Sequence, residues 1–216
     1  DVSGNFADVD ATDTLSYAAT GMPSTLSMST SGTISGTPVN ADVGAHTIIV
    51  TATDSSSAAA TASDTYILTV TNTNDAPTAT AISDASTAED AAYSLDVSGN
   101  FADVDVGDTL SYAATGMPST LSMSTSGTIS GTPVNADVGA HTIIVTATDS
   151  SSAAATASDT FVLTVTNTND APTVSSAIAD ASTDEDAAYS LDVSGNFADV
   201  DATDTLSYAA TGMPST

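Results

Sequence analysis

The sequence has no lysine and no arginine, against 27 aspartates and glutamates, so its formal net charge at neutral pH is −27. A chain without basic side chains cannot neutralise phosphates, which excludes nucleic-acid binding and electrostatic attraction to anionic lipids. No carboxylate can form an ion pair with a lysine or arginine of the same chain. We therefore expect each acidic cluster to stay hydrated or to bind a metal cation, because self-repulsion on this scale destabilises a compact state.

Cysteine and tryptophan are also absent, and aromatic residues make up only 5% of the chain. The lack of cysteine excludes disulfides, so stability must come from the core, to which a bound metal could add. No hydrophobic run is long enough to cross a bilayer, and neither end resembles a signal peptide. Hydrophobic residues nevertheless reach 41%, which is enough to build folded cores and more than a disordered acidic tail carries.

The chain consists of repeats. The segment DVSGNFADVD begins at Asp1, Asp96 and Asp192, so the spacing is 95 and then 96 residues, and the first and last 25 residues are identical. We expect a segment of a longer array. The predicted domains are a partial repeat lacking its first strand, a complete repeat, and a partial repeat truncated after its third strand region: residues 1–75, 76–171 and 172–216.

Alternation of apolar and polar residues predicts strands throughout each repeat. In GAHTIIVTATD and SDTYILTVTN the period is two and the residues are β-branched or aromatic, which is typical of half-buried antiparallel strands. Glycine, proline and serine separate these runs. Six or seven short strands in about 95 residues predict an all-β fold, with tandem Greek-key β-sandwiches of the immunoglobulin-like type arranged end to end. Further predicted strands cover residues 78–82, 91–98, 109–115 and 121–131.

Two motifs carry a family resemblance. TNTNDAP, at residues 71–77 and 166–172, resembles the cadherin interdomain linker. GTISGTPVNADVGAHTIIVTATDSS, starting at Gly32 and Gly127, resembles the dystroglycan-type cadherin-like repeat of giant bacterial surface adhesins. The resemblance covers the whole chain. It implies a Ca²⁺-dependent sandwich, arrayed end to end on a cell surface or in a secreted protein, whose partners are the neighbouring repeats of the same chain.

The resemblance also implies calcium ligands at each junction. They correspond to an early glutamate, a linker aspartate, an Asp-x-Asp pair and a later aspartate, in that order: Glu89 and Glu185; Asp75 and Asp170; Asp8 and Asp10, Asp103 and Asp105, Asp199 and Asp201; Asp54 and Asp149. The sequence departs from the cadherin pattern at the first linker acid, which is Asn72 or Asn167, and it has no Asp-Arg-Glu motif. One or two ions per junction are therefore expected.

The residue types themselves fit calcium, which takes about 6–8 oxygen ligands gathered from several loops. In extended backbone an Asp-x-Asp pair points both carboxylates to one side, and the same loop adds a third acid at Asp13, Asp108 or Asp204. The alternative is that these acids are solvated turn residues, as aspartate commonly is. The aspartates that flank the early glutamates are either outer contacts of the metal or merely exposed. His46 and His141 are interpreted as packing residues.

Three functions remain open, none of them enzymatic. The first is a spacer or stalk stiffened by Ca²⁺ at the junctions. The second is a subunit of an extracellular filament, fibre or surface layer, in which other copies of the chain are partners. The third is a carbohydrate- or ice-binding repeat. An acidic pair such as Asp103 and Asp105 could form a glycosidase dyad, but it recurs in every repeat without a surrounding cleft motif.

Overall fold

A computed structural model describes residues 1–10 and 12–213 of the chain. These residues form β-strands and short 3₁₀ turns, and none of them lies in an α-helix. The chain divides into two compact units. Unit 1 comprises residues 1–77, 103–109 and 149–155, and unit 2 comprises residues 78–102, 110–148 and from 156 onward. The all-β prediction is confirmed.

Unit 1 is built from two sheets. Its strands are β1 Ser16–Thr20, β2 Leu26–Met28, β3 Ile34–Gly36, β4 Gly44–Thr53 and β5 Thr61–Val70. The larger sheet has the order β1-β4-β5 and is antiparallel throughout, and β2 pairs with β3 as a hairpin. Because side chains alternate along a strand, Ile48, Val50 and Ala52 of β4 face inward and pack with Tyr17 as the buried core. Residues 3–5 and 40–42 form 3₁₀ turns.

Unit 2 contains a complete sandwich. Its strands are β6 Thr78–Ala79, β7 Ala85–Ala88, β8 Tyr93–Asp96, β9 Phe101–Ala102, β10 Ser111–Thr115, β11 Leu121–Met123, β12 Thr128–Gly131, β13 Gly139–Thr148, β14 Thr156–Thr166, β15 Thr173–Val174 and β16 Phe197–Ala198. One sheet has the order β10-β13-β14-β7 and the other β11-β12-β8. Residues 98–100, 135–137 and 194–196 form 3₁₀ turns. The period-two runs thus form the antiparallel strands that the sequence predicts.

The core of unit 2 lies between its two sheets. Ile143 and Val145 of β13 and Phe161 and Leu163 of β14 are almost fully buried, and they pack with Ile129 of β12 in the facing sheet. Each of these residues occupies the inward position of an alternating strand. One pairing was not predicted. The strand β7 runs parallel to β14, with Ala85 opposite Leu163.

A tight turn after β10 requires glycine. Gly116 has φ +79°, in the region that side chains rarely adopt, and a Cβ placed there would collide with the carbonyl oxygen of Thr142. Gly21 occupies the same position in unit 1, where a Cβ would collide with the carbonyl oxygen of Thr47. The GMP turns at Gly21 and Gly116 therefore lie where the backbone of β4 or β13 approaches closely.

A buried carboxylate holds the turn before β13. Asp137 is 5% exposed, and its Oδ2 accepts hydrogen bonds from the Thr120 hydroxyl at 2.6 Å and the Val134 N–H at 3.1 Å. The Thr120 hydroxyl lowers the pKa of Asp137 most; burial opposes this shift, and the Val134 N–H and nearby His141 add to it. His141 itself donates from Nε2 to the Asp137 carbonyl oxygen at 2.7 Å, next to the turn.

Replacing Asp137 with alanine is expected to destabilise unit 2 by about 1–2 kcal/mol, because two donors lose a charged acceptor. Since the pKa of Asp137 is lowered in the folded state, its contribution is present above the ordinary aspartate pKa and is lost as pH falls through the lowered value. Urea unfolding at pH 7 and at pH 3 measures both effects. The exposed change Ser122→Ala is the control, and equal destabilisation at the two pH values would contradict the assignment.

Candidate metal centre

In unit 1 the linker that follows β5 contacts a group of acidic residues, which we call the acidic centre of unit 1: Asp103, Asp105 and Asp149. The Asp75 N–H donates to Oδ2 of Asp105 at 2.7 Å, and the Asp105 N–H donates to Oδ1 of Asp103 at 2.9 Å. The second contact is an Asx turn, which aspartate forms readily. The linker backbone therefore holds the Asp-x-Asp loop, which lies about 30 residues further along the chain.

A linker asparagine holds the second acidic loop. Nδ2 of Asn74 donates to Oδ2 of Asp149 at 3.0 Å and to the carbonyl oxygen of Asp75 at 2.9 Å. Asp149 closes its own loop, because its Oδ1 accepts hydrogen bonds from Ser151 and from the Ala155 N–H. Asp105 and Asp149 are each only 5% exposed. Two of the acids that the resemblance assigns to a junction are thus buried beside the linker.

Three buried oxygens at this centre have no hydrogen-bond partner. They are Oδ1 of Asn74, Oδ2 of Asp103 and Oδ1 of Asp105. Buried polar atoms are normally satisfied, and buried charges are normally paired or bound to a metal. Asp103, Asp105 and Asp108 also offer carboxylate oxygens within 4.8 Å of one another. Carboxylate and amide oxygens are ligands that Ca²⁺ prefers, so the residues present fit this ion.

Asp149 is held in its ionised form. Burial raises its pKa, but hydrogen bonds from the Asn74 side chain, Ser151 and the Ala155 N–H outweigh burial, and the net pKa lies below the ordinary value. A metal ligand must be deprotonated. The hydrogen bonds therefore favour the carboxylate form of Asp149, which is the form that a metal ligand requires.

Unit 2 contains a second acidic centre. Glu89, Asp90 and Asp170 offer carboxylate oxygens within 4.8 Å of one another. Glu89 is only 2% exposed; its Oε1 accepts from the Thr168 N–H at 2.9 Å, and its buried Oε2 has no hydrogen-bond partner. Asp90 has φ +59°, a sparsely populated conformation for a non-glycine residue. A buried carboxylate with one unpaired oxygen again fits a hard cation.

The linker of unit 2 repeats the backbone contact of unit 1. The Asp170 N–H donates to Oδ2 of Asp201 at 2.7 Å, and Nδ2 of Asn135 donates to Oδ1 of Asp201 at 3.0 Å. The Asp170 N–H lowers the pKa of Asp201 most, burial opposes it, and Asn167 and Asn135 lower it further. Asp201 is 2% exposed and forms an acidic group with Asp199 and Asp204.

The remaining predicted ligands are less enclosed. Carboxylate oxygens of Asp8, Asp13 and Asp54 lie within 4.8 Å of one another. Asp10 is exposed, and its N–H donates to Oδ1 of Asp8. Glu185 is exposed, in a stretch whose side chains are all exposed. Their role as ligands stays a prediction.

Sequence reasoning missed the asparagines that contact the acids. Asn74 orients Asp149, Asn135 contacts Asp201, and Asn40 donates to Oδ2 of Asp75 at 2.7 Å. The repetition of TNTND and PVNAD in successive repeats was the available sign, but asparagine is common in turns.

The sandwiches have a fold of the immunoglobulin and cadherin type. The family model of He_PIG, described as "Putative Ig domain", matches residues 1–71 and 76–166, and the chain belongs to this family. Similar solved structures include Drosophila N-cadherin EC1-4 (22% identity, TM-score 0.52, covering 73% of this chain), mouse cadherin-23 EC22-24 (18%, 0.52, 74%) and the protocadherin gammaB7 EC3-6 cis-dimer (20%, 0.54, 78%). These likenesses define the fold alone.

The chain spans 42%, 57% and 44% of the lengths of these three structures. No curated protein matches the sequence. Among the residues that the structure describes, no helix is long and apolar enough to cross a membrane.

Proposed function

We propose that this chain is a non-enzymatic, extracellular spacer or stalk segment of a repetitive bacterial surface adhesin, stiffened by Ca²⁺ bound at its linkers. The observation that carries the proposal is the set of buried, unpartnered oxygens on Asn74, Asp103 and Asp105. The chain supplies no lysine or arginine to pair with them. A divalent cation from the medium is the group that would neutralise the centre.

Calcium would act by joining distant segments. In unit 1 the linker residues Asn74 and Asp75 already contact Asp149 and Asp105, which lie 75 and 30 residues away in sequence. An ion bound to these side chains would add bonds that the linker cannot break without releasing it. Each linker would then lose conformational freedom, and consecutive sandwiches would be held at a fixed angle.

Near-identity of the repeats supports a spacer. Residues 1–25 and 192–216 are the same, and DVSGNFADVD occurs three times. A stalk needs length and stiffness rather than a distinct surface on each repeat. Extracellular fluid supplies calcium, whereas the lack of cysteine removes the usual covalent means of stabilising a small secreted domain.

Small-angle X-ray scattering tests the proposal. In 150 mM NaCl, adding 10 mM CaCl₂ to chelator-treated protein is expected to narrow the distribution of overall dimensions and to give the scattering of a stiff rod. The ionic strength must be held constant, because screening alone changes the repulsion within a chain of charge −27. Matched NaCl and MgCl₂ samples are the controls. Identical curves with and without calcium would refute the stiffening role.

The filament hypothesis stays a prediction. The carbohydrate- or ice-binding hypothesis stays a prediction.

A further inference from the structure

The outer surface of the four-stranded sheet of unit 2 carries no ionisable side chain. Along β10, β13, β14 and β7 the inward residues pack into the core, and the residues between them point to solvent. These outward residues are serine, threonine, alanine, isoleucine or valine, and we call them the neutral face. Its centre consists of Thr142, Ile144 and Thr146 on β13 and Ser158, Thr160 and Val162 on β14.

The neutral face is unusual for a chain with 27 acidic residues and no lysine or arginine. The acids of this sheet lie beside it or behind it: Asp84 precedes β7, and Asp149 follows β13. Asp159 lies within β14 but points inward, where its Oδ2 accepts a hydrogen bond from the N–H of buried Ile82 at 2.7 Å. Since β14 accommodates an aspartate on its inner side, low strand propensity alone does not explain the lack of acids on the outer side.

The centre of the neutral face can lose water at low cost. Oγ1 of Thr146 and Oγ of Ser158 lie 2.8 Å apart and share a hydrogen bond across the two strands. Covering a polar group is costly mainly when the group loses its partner, and this pair keeps its own. Ile144 is 43% exposed, so covering it removes apolar surface from water.

Unit 1 presents the same surface on β1, β4 and β5. Its outward residues are identical to those of β10, β13 and β14, except that Ile67 replaces Val162. The hydroxyl pair recurs as Thr51 and Ser63, again 2.8 Å apart, and Ile49 is 43% exposed like its equivalent in unit 2. The neutral face is therefore a property of the repeat.

We propose that the neutral face packs against the neutral face of a second copy of this chain, sheet on sheet. Two copies with a net charge of −27 repel each other. The neutral face is a surface on which they can touch without placing one carboxylate against another. Small threonine, serine and alanine side chains allow two sheets to approach to the usual separation of about 10 Å. Because the same surface is used by both copies, the contact has two-fold symmetry and closes as a dimer.

The size of the neutral face predicts a weak contact. Four strands about 4.8 Å apart, paired over about six to ten residues that each rise about 3.3 Å, cover roughly 400–600 Å² per copy. A pair of faces would bury about 800–1,200 Å², which is the size of weak and transient interfaces. The contact contains no metal and no ion pair, so its success or failure is independent of the calcium proposal.

Sedimentation velocity over a range of protein concentrations, in EDTA and at low and high NaCl, tests the proposal. We expect dimers to increase with protein concentration and to be more stable at about 0.5 M than at about 0.05 M NaCl, because salt screens the repulsion between copies. Monomers under every condition, or dimers that dissociate as salt is raised, would overturn the proposal. A monomer that adsorbs to ice or to an insoluble polysaccharide would also overturn it, and would assign the neutral face to a solid surface.

Two matched double variants locate the contact. Ile49→Asp with Ile144→Asp places a charge in the centre of each neutral face and should weaken dimerisation at least about tenfold. The control, Val39→Asp with Val134→Asp, adds the same charge at exposed apolar positions outside the neutral face (54% and 42% exposed) and should dimerise like the parent. Equal weakening by the two double variants would overturn the proposal.

A third double variant guards against loss of folding. Thr65→Glu with Thr160→Glu changes exposed polar residues that lie opposite Ile49 and Ile144 in the neighbouring strands. It should weaken dimerisation as the isoleucine variants do, while thermal unfolding of the dilute protein shows a folded chain. A folded Thr65→Glu, Thr160→Glu protein that dimerises like the parent would overturn the proposal.

Discussion

Replacing Asp103 and Asp105 together with alanine is expected to weaken calcium binding at the acidic centre of unit 1 by at least about 100-fold. Both residues present a buried carboxylate oxygen without a hydrogen-bond partner, and both belong to the acidic group completed by Asp108. Calcium needs about 6–8 oxygen ligands, and the double substitution removes two carboxylates of the acidic group and their negative charge. Calorimetric titration should therefore show the loss of one class of sites while the centre of unit 2 still binds.

The same variant should also lose the stability that bound calcium gives to the folded state. At 10 mM calcium, a site with a dissociation constant of about 100 µM stabilises the folded state by about 2.7 kcal/mol. For a domain of this size that gain corresponds to about 10–20 °C in Tm. The double variant should lose this calcium-dependent increase in unit 1.

The control for this experiment must remove the same charge. Asp64→Asn with Asp180→Asn changes two exposed carboxylates outside the acidic groups, and it should retain full calcium affinity. A double alanine variant that binds as tightly as the parent would show that the ligands are misassigned. Equal weakening in the control would show that calcium responds to total charge rather than to a defined site.

The fold was predictable where local pattern and burial agree. The runs in β13 and β14 alternate with period two, and the structure buries Ile143, Val145, Phe161 and Leu163 as that alternation requires. The strand β7 escaped prediction because Ala-Ser-Thr-Ala has little apolar contrast between its faces. Its parallel pairing depends on β14, which lies more than 70 residues further along, and local sequence gives no sign of such a contact.

The candidate site was predictable by residue type but not by contact. The Asp-x-Asp pair and the linker aspartate were assigned from the resemblance, and the structure brings Asp105 to the Asp75 backbone. It is the backbone N–H of Asp75 that makes this contact, whereas its carboxylate accepts from Asn40. The contribution of Asn74 was missed, because a linker asparagine gives no sign in sequence that it contacts an aspartate 75 residues away.

Replacing Glu89 with glutamine is expected to have opposite effects with and without calcium. Glu89 is 2% exposed, and its Oε2 has no hydrogen-bond partner, so in chelator the folded state carries a buried charge that nothing neutralises. Burying such a group is costly. The amide is neutral and retains an oxygen for the Thr168 N–H, which Glu89 binds at 2.9 Å. In EDTA the variant should therefore be more stable than the parent by about 1–3 kcal/mol.

With calcium the order reverses. The parent gains the binding free energy at the centre formed by Glu89, Asp90 and Asp170, whereas the glutamine variant loses a charged ligand and most of that gain. Thermal unfolding of both proteins in EDTA and in 10 mM calcium tests whether the order of their stabilities reverses. The control is Asp84→Asn, which changes an exposed carboxylate of the same repeat. Its stability relative to the parent should not change order between EDTA and calcium. If the glutamine variant were less stable than the parent in both conditions, the charge of Glu89 would stabilise the folded state by accepting the hydrogen bond from the Thr168 N–H. The prediction would then be wrong. A reversal would mean that the negative charge at this position lowers the stability of the calcium-free chain and raises that of the calcium-bound chain.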